Sequence, residues 1–168
     1  MTQELAELRT SIRSGRYDEA LMLVDELEGM SKKAILQKIE SFLVRMLIHL
    51  IKNQVERRIT NYWAASIRDS VLKIQGLNLK DNKTSYYIKQ EEWTDNLERA
   101  FKDAIYEASV EVSNGIYKPR QLRDIVDKTQ IMNVANQLIS LTYSHSNDSL
   151  RDVIDSEFIQ LPGGEDWI

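Results

Sequence analysis

Three groups of residues in this chain have the types and spacing to do chemistry. The first is Arg45 and His49, four positions apart and so on one face of any helix that carries them. Helical ribonucleases place an Arg and a His on one helix, with more residues between them than the three that intervene here. The competing reading is structural. Both residues interrupt the apolar run Phe42-Leu-Val-Arg-Met-Leu-Ile-His-Leu-Ile51. A polar pair enclosed there needs partners, a hydrogen bond for His49 and a carboxylate for Arg45. The spacing and the apolar surroundings favour that second reading.

The second group is Asp103, Glu107 and Glu111, a carboxylate stripe at steps of four. Carboxylates on one helical face can hold a hard cation or part of a two-metal site. A four-helix di-iron centre would need paired Glu-x-x-His phrases, and neither His49 nor His145 stands three residues after a Glu. With no cysteine in the chain, disulfides and zinc-thiolate sites are excluded. No metal and no cofactor are expected, and the stripe reads as a solvated face or as a partner for arginines elsewhere.

The third group is Lys52, Arg57, Arg58, Arg68 and Lys73, which outnumber Glu56 and Asp69 over the same stretch and have Tyr62 and Trp63 among them. Cations interleaved with aromatics are what single-stranded nucleic acid requires for phosphate contact and base stacking. Trp63, however, falls in the apolar row Trp63, Ile67, Val71, Ile74, which places it in a core. An ionic seam joining Arg57, Arg58 or Arg68 to Asp103, Glu107 and Glu111 accounts for the same charges. A net charge of −4 argues against a nucleic-acid binder using its whole surface. The chain has no Gly-rich phosphate loop and no nucleophile elbow. No catalytic residue is assigned, and enzymatic activity is not expected.

The elements that position these groups read as helices throughout. Only two prolines and six glycines punctuate 168 residues, which favours long helices over short strands. Residues 3–13 carry Leu5, Leu8 and Ile12 on one side and stop near Gly15; a second helix follows from Asp18, through Leu21, Val24, Leu27 and Met30. Ser31 is expected to cap a central, deeply buried helix over 31–54. A fourth helix ends near 75, and a fifth ends near Asn114-Gly115 with Leu97, Phe101, Ala104 and Ala108 inward. Pro119 opens a helix expected to continue through 143, and a short one covers 149–157. The ending Leu161-Pro-Gly-Gly-Glu-Asp-Trp-Ile168 has no periodicity and reads as extended or mobile.

The segment from Ser14-Gly-Arg-Tyr-Asp18 to Arg68 resembles a bacterial, largely cyanobacterial family catalogued as a domain of unknown function, number twenty-nine. The phrases that carry the resemblance are His49-Leu-Ile-Lys-Asn-Gln-Val-Glu-Arg-Arg58 and Trp63-Ala-Ala-Ser-Ile-Arg68, with Ser149-Leu-Arg-Asp-Val-Ile-Asp-Ser-Glu-Phe158 resembling its usual ending. Members usually have a proline before Glu-Arg-Arg, where this chain has Val55. The resemblance implies an all-helical fold and brings no activity or catalytic residues.

The resulting expectation is an all-α, single-domain bundle of six or seven helices around a central buried helix, with the domain over 1–158 and a tail over 159–168. Its composition, 42% hydrophobic and 29% charged, is that of an ordinary soluble domain. The opening residues lack a basic start followed by an apolar stretch, and the run 42–51 is about half the length of a membrane span. A cytoplasmic protein with no membrane partner is expected. The favoured function is a non-enzymatic protein-interaction or adaptor domain, binding another protein or itself as a homo-oligomer. The alternative is a nucleic-acid-linked protein, such as a ribonuclease-like toxin or its regulator.

Overall fold

The computed structural model describes residues 2–168, and among them the chain is all-helical, as expected. Its seven α-helices are α1 (Thr2–Arg13), α2 (Tyr17–Glu56), α3 (Asn61–Asn78), α4 (Thr94–Glu111), α5 (Pro119–Ile125), α6 (Lys128–Ser144) and α7 (Asn147–Phe158). Among the described residues, extended pairing is confined to one isolated bridge between Leu79 and Tyr86. Among the described residues no helix is long and apolar enough to cross a membrane. The chain divides into two compact units, Met1–Lys38 and Ile39–Ile168.

The first unit holds α1 and the opening of α2, turned at Gly15, whose φ of 73° is readily available to glycine. Two expectations merge here. The helices read over 18–30 and 31–54 are one helix of 40 residues, because Ser31 lies inside it rather than capping it. No proline interrupts 17–56, so a serine and a glycine in mid-helix weaken the helix without breaking it. Among the described residues Ala20 is the one buried apolar side chain of this unit.

The second unit has a well-filled core. Leu43, Met46, Leu47 and Ile51 of α2 are completely enclosed, together with Ile67, Val71 and Ile74 of α3 and Ala104, Ile105 and Ala108 of α4. Helix α3 packs on α6 and α7, α6 on α7, and α4 on α5. Helix α3 begins at an N-cap, Thr60, whose hydroxyl accepts the Trp63 N–H at 3.0 Å. The helix expected from Pro119 through 143 is divided at Val126–Asp127. The Asp127 side chain caps α6 by accepting the Gln130 N–H. Gln54 of α2 secures the break, accepting the Asp127 N–H at 2.8 Å and donating to its carbonyl at 3.1 Å. A side chain 73 residues away in sequence thus satisfies the peptide group that a continuous helix would have satisfied locally.

The ending 159–168 is neither extended nor loose. It makes successive turns that bury Leu161 and bring the Trp167 ring edge-on to Phe158, centroids 5.6 Å apart. Asn53 of α2 donates to the Pro162 carbonyl at 2.8 Å. At Gly163, with φ of 73°, a Cβ would stand 2.5 Å from the Arg57 carbonyl oxygen and 2.8 Å from the Arg58 Cα. The close approach of two backbones, not a hydrophobic period, decides this segment, so periodicity analysis could not find it.

Candidate functional site

Most of the polar residues singled out from the sequence lie on or beside the C-terminal half of α2 and the turn that leads into α3. Helix α2 closes at Arg57, which adopts φ of 53° and donates its N–H to the Asn53 carbonyl at 2.9 Å. Asn53 is almost fully buried and donates to the Arg58 carbonyl at 3.0 Å as well as to Pro162. One amide therefore ties the end of α2, the following turn and the C-terminal segment together.

Glu56, Arg58, Lys52 and Trp63 form the next layer. The Arg58 guanidinium donates to Glu56 Oε1 at 3.0 and 2.9 Å, and Glu56 Oε2 accepts the Ser113 N–H at 3.1 Å. Burial pushes the Glu56 carboxyl up, but the Ser113 bond, Arg58 and Lys52 together outweigh it and hold the group below the usual carboxylate range. Ser113 and Asn114 both adopt positive φ just after α4, which presents the Ser113 N–H to Glu56. Over the buried Trp63 ring lie Lys52 Nζ at 4.9 Å from the centroid and the Arg58 guanidinium at 4.8 Å. Lys52 also meets Glu111 at 3.7 Å. Trp63 is thus a core residue with cations against its faces, closed to base stacking.

Arg45 is held by Asp69 of α3 at 2.8 Å, with Ser66 Oγ at 3.5 Å. The carboxylate partner anticipated for it exists. His49 differs: its imidazole is 7% exposed, and its Nδ1 is buried with no hydrogen-bond partner. The Tyr62 ring stands edge-on at 6.0 Å. Burial, reinforced by the nearby cations Lys52 and Arg45, drives the His49 pKa down to about 4, so the ring is neutral near pH 7.

The ionic seam between the arginines and the acidic face of α4 takes another course. Arg68 pairs with Asp155 of α7, Arg58 with Glu56, and Arg57 is exposed in the turn. Asp103 and Glu107 face solvent, and Glu111 is reached by Lys52 instead. The reason is packing. Helix α3 lies against α6 and α7, which directs Arg68 to α7. The apolar side of α4, through Ala104, Ile105 and Ala108, turns inward and leaves its carboxylates outside. No group of three or more His, Asp or Glu among the described residues is arranged to hold a metal ion.

Sequence reasoning missed a second polar cluster. Tyr143 Oη accepts the Trp93 Nε1–H at 2.7 Å and the Asn78 amide at 3.0 Å, and donates to the Ile88 carbonyl at 2.5 Å. Asn78 completes the set through Ile88, donating to its carbonyl at 2.9 Å and accepting its N–H at 2.7 Å. These bonds pin the loop between α3 and α4 to α6. Asn53 and Asn78 share the one available signal, an amide at an otherwise inward position of a helix, which needs a partner once buried.

Residues 5–121 match the family described as Domain of unknown function DUF29. No curated protein and no solved structure matches the chain.

Proposed function

On the premise that the chain belongs to the family Domain of unknown function DUF29, whose description carries no activity, we propose from its own residues that it is a non-enzymatic interaction domain. It binds a protein partner through the helical hairpin of its first unit. One observation carries this reading. The hairpin buries no apolar side chain larger than alanine among the described residues, while Leu5, Ile12, Leu21, Met22 and Met30 each keep about half or more of their surface in water. Helical segments with so little burial need a cover to be worth their ordering cost.

The candidate chemistry supports the same reading. Arg45, Arg58, Arg68 and Lys52 each have a carboxylate partner within the chain. A general acid or base must reach its substrate's proton, whereas His49 as a residue keeps 7% exposure and its Nδ1 is enclosed, which leaves its Nε2 alone for such a role.

The test is capture from the native host with tagged full-length protein, with and without nuclease, against Ile12→Glu and Leu21→Glu. Both positions are at least half exposed, so the variants fold. The expected result is a protein partner that survives nuclease and is lost with either variant, while His49→Gln changes stability and leaves capture intact. Captured material that disappears on nuclease treatment, or RNA cleavage lost in His49→Gln at unchanged melting temperature, would assign the protein to the nucleic-acid class.

A further inference from the structure

We infer that one face of α2 within the first unit binds a second copy of this chain, antiparallel, with a two-fold axis at Gly29. The inference rests on the reading of that unit as an interaction surface and names one occupant for it.

Gly29 is the first observation. It sits in the middle of a 40-residue helix, where glycine is less stable than alanine. Its φ is not left-handed, and a Cβ built there would meet nothing within 4 Å. Nothing inside the chain calls for the missing side chain. A second helix crossing close to the backbone at that point would. Nine residues separate Gly29 from the buried Ala20, half a revolution round the helix, so Gly29 is on the side opposite the enclosed one.

The stripe that runs through Gly29 is the second observation. Met22 and Leu36 lie seven residues to either side of it and therefore on nearly the same line; Met22 is 64% exposed and Leu36 half-buried. A two-fold axis at Gly29 sets Met22 of one copy against Leu36 of the other, an apolar contact at each end of the crossing.

Charge chooses the orientation. Asp25 and Glu26 flank the stripe before Gly29, and Lys32 and Lys33 flank it after. All four are exposed, and none forms an ion pair or side-chain hydrogen bond among the described residues. The same axis brings Asp25 beside Lys32 of the second copy and Glu26 beside its Lys33, each pair twice, because residues seven apart share a flank of the stripe. A parallel alignment would set Asp25 on Asp25 and Lys33 on Lys33. An isologous surface must be complementary to itself, and this one is, in its apolar ends, its central gap and its charges. Like-charge juxtaposition penalises the parallel alternative.

The experiment is sedimentation equilibrium of the full chain from micromolar to near-millimolar concentration, at low and high salt. The expected result is a reversible monomer–dimer equilibrium that weakens with salt. Gly29→Gln should lower dimer affinity at least about tenfold with helix content undiminished. Asp25→Lys with Glu26→Lys should abolish the dimer, and adding Lys32→Glu with Lys33→Glu should restore it, a rescue that misfolding cannot mimic. The chain has no cysteine, so orientation can be read by cross-linking. Met22→Cys mixed with Leu36→Cys should join as a mixed disulfide, and neither alone should join to itself. A chain that stays monomeric throughout, a dimer indifferent to positions 25, 26 and 29, or self-joining of Met22→Cys overturns the inference. The capture test at Ile12, which lies on α1 and not on this stripe, stays separate from each of these results.

Discussion

The enclosure of His49 makes the protein's stability depend on pH in a calculable way. In the folded chain the imidazole is 7% exposed and its pKa is held down to about 4. In the unfolded chain it returns to about 6.5. Between these values the unfolded state binds a proton that the folded state refuses. The stabilisation is therefore complete above about pH 6.5 and is lost progressively as the pH falls toward 4. Linkage gives a loss of about 2 kcal/mol between pH 8 and pH 5, and a limit of about 3 kcal/mol below the folded pKa. The clean comparison is wild type against His49→Leu, which removes the titrating ring and keeps an apolar filling. The variant also removes an unpartnered Nδ1, so it should be as stable as wild type or more so at pH 8. Urea denaturation at a series of pH values should show the gap in the variant's favour widening by about 2 kcal/mol from pH 8 to pH 5. The carboxylates common to both proteins cancel in the difference. The supporting measurement is an NMR titration of the His49 ring, which the variant assigns against His145. A gap that stays constant with pH, or a His49 resonance titrating near its ordinary value, would refute the argument that burial and the neighbouring Lys52 and Arg45 exclude the charged form.

Four further outcomes follow from the packing. Leu43→Ala or Met46→Ala, both at fully enclosed positions of α2, should each cost about 2–5 kcal/mol in denaturant midpoint analysis, as cavity-forming changes do. Asn53→Ala should cost about 1–3 kcal/mol by leaving the Arg58 and Pro162 carbonyls without their donor. Gly163→Ala should give a loss of similar size, because its Cβ would collide with the Arg57 carbonyl; in both variants hydrogen exchange should rise first in residues 159–168. Tyr143→Phe should destabilise by about 1–3 kcal/mol and raise exchange in the loop between α3 and α4, since Trp93 Nε1 loses its acceptor and the Ile88 carbonyl one of its donors.

The helical class and the inward rows of α3 and α4 were legible from periodicity alone, because apolar residues at steps of three and four have one stable disposition; the buried helix expected over 31–54 is buried only from Ile39 onward. Trp63 as core, and a carboxylate for Arg45, were legible for the same reason: their neighbours in sequence are apolar, so burial and its pairing rule applied before any coordinates. What the sequence could not convey is which partner answers each demand. Arg68 could have met any carboxylate on a neighbouring helix; the packing of α3 on α7 selected Asp155 over the acidic row of α4. The break before α6 depends on Gln54, and the ordered C-terminal segment on Asn53 and on the absence of a side chain at Gly163. Each of these joins residues far apart in the chain through one or two directional contacts. Hydrophobic periodicity is a local, repeated signal that survives being read in one dimension. A single hydrogen bond or a backbone-to-backbone approach leaves no repeat behind, so only the tertiary arrangement decides it.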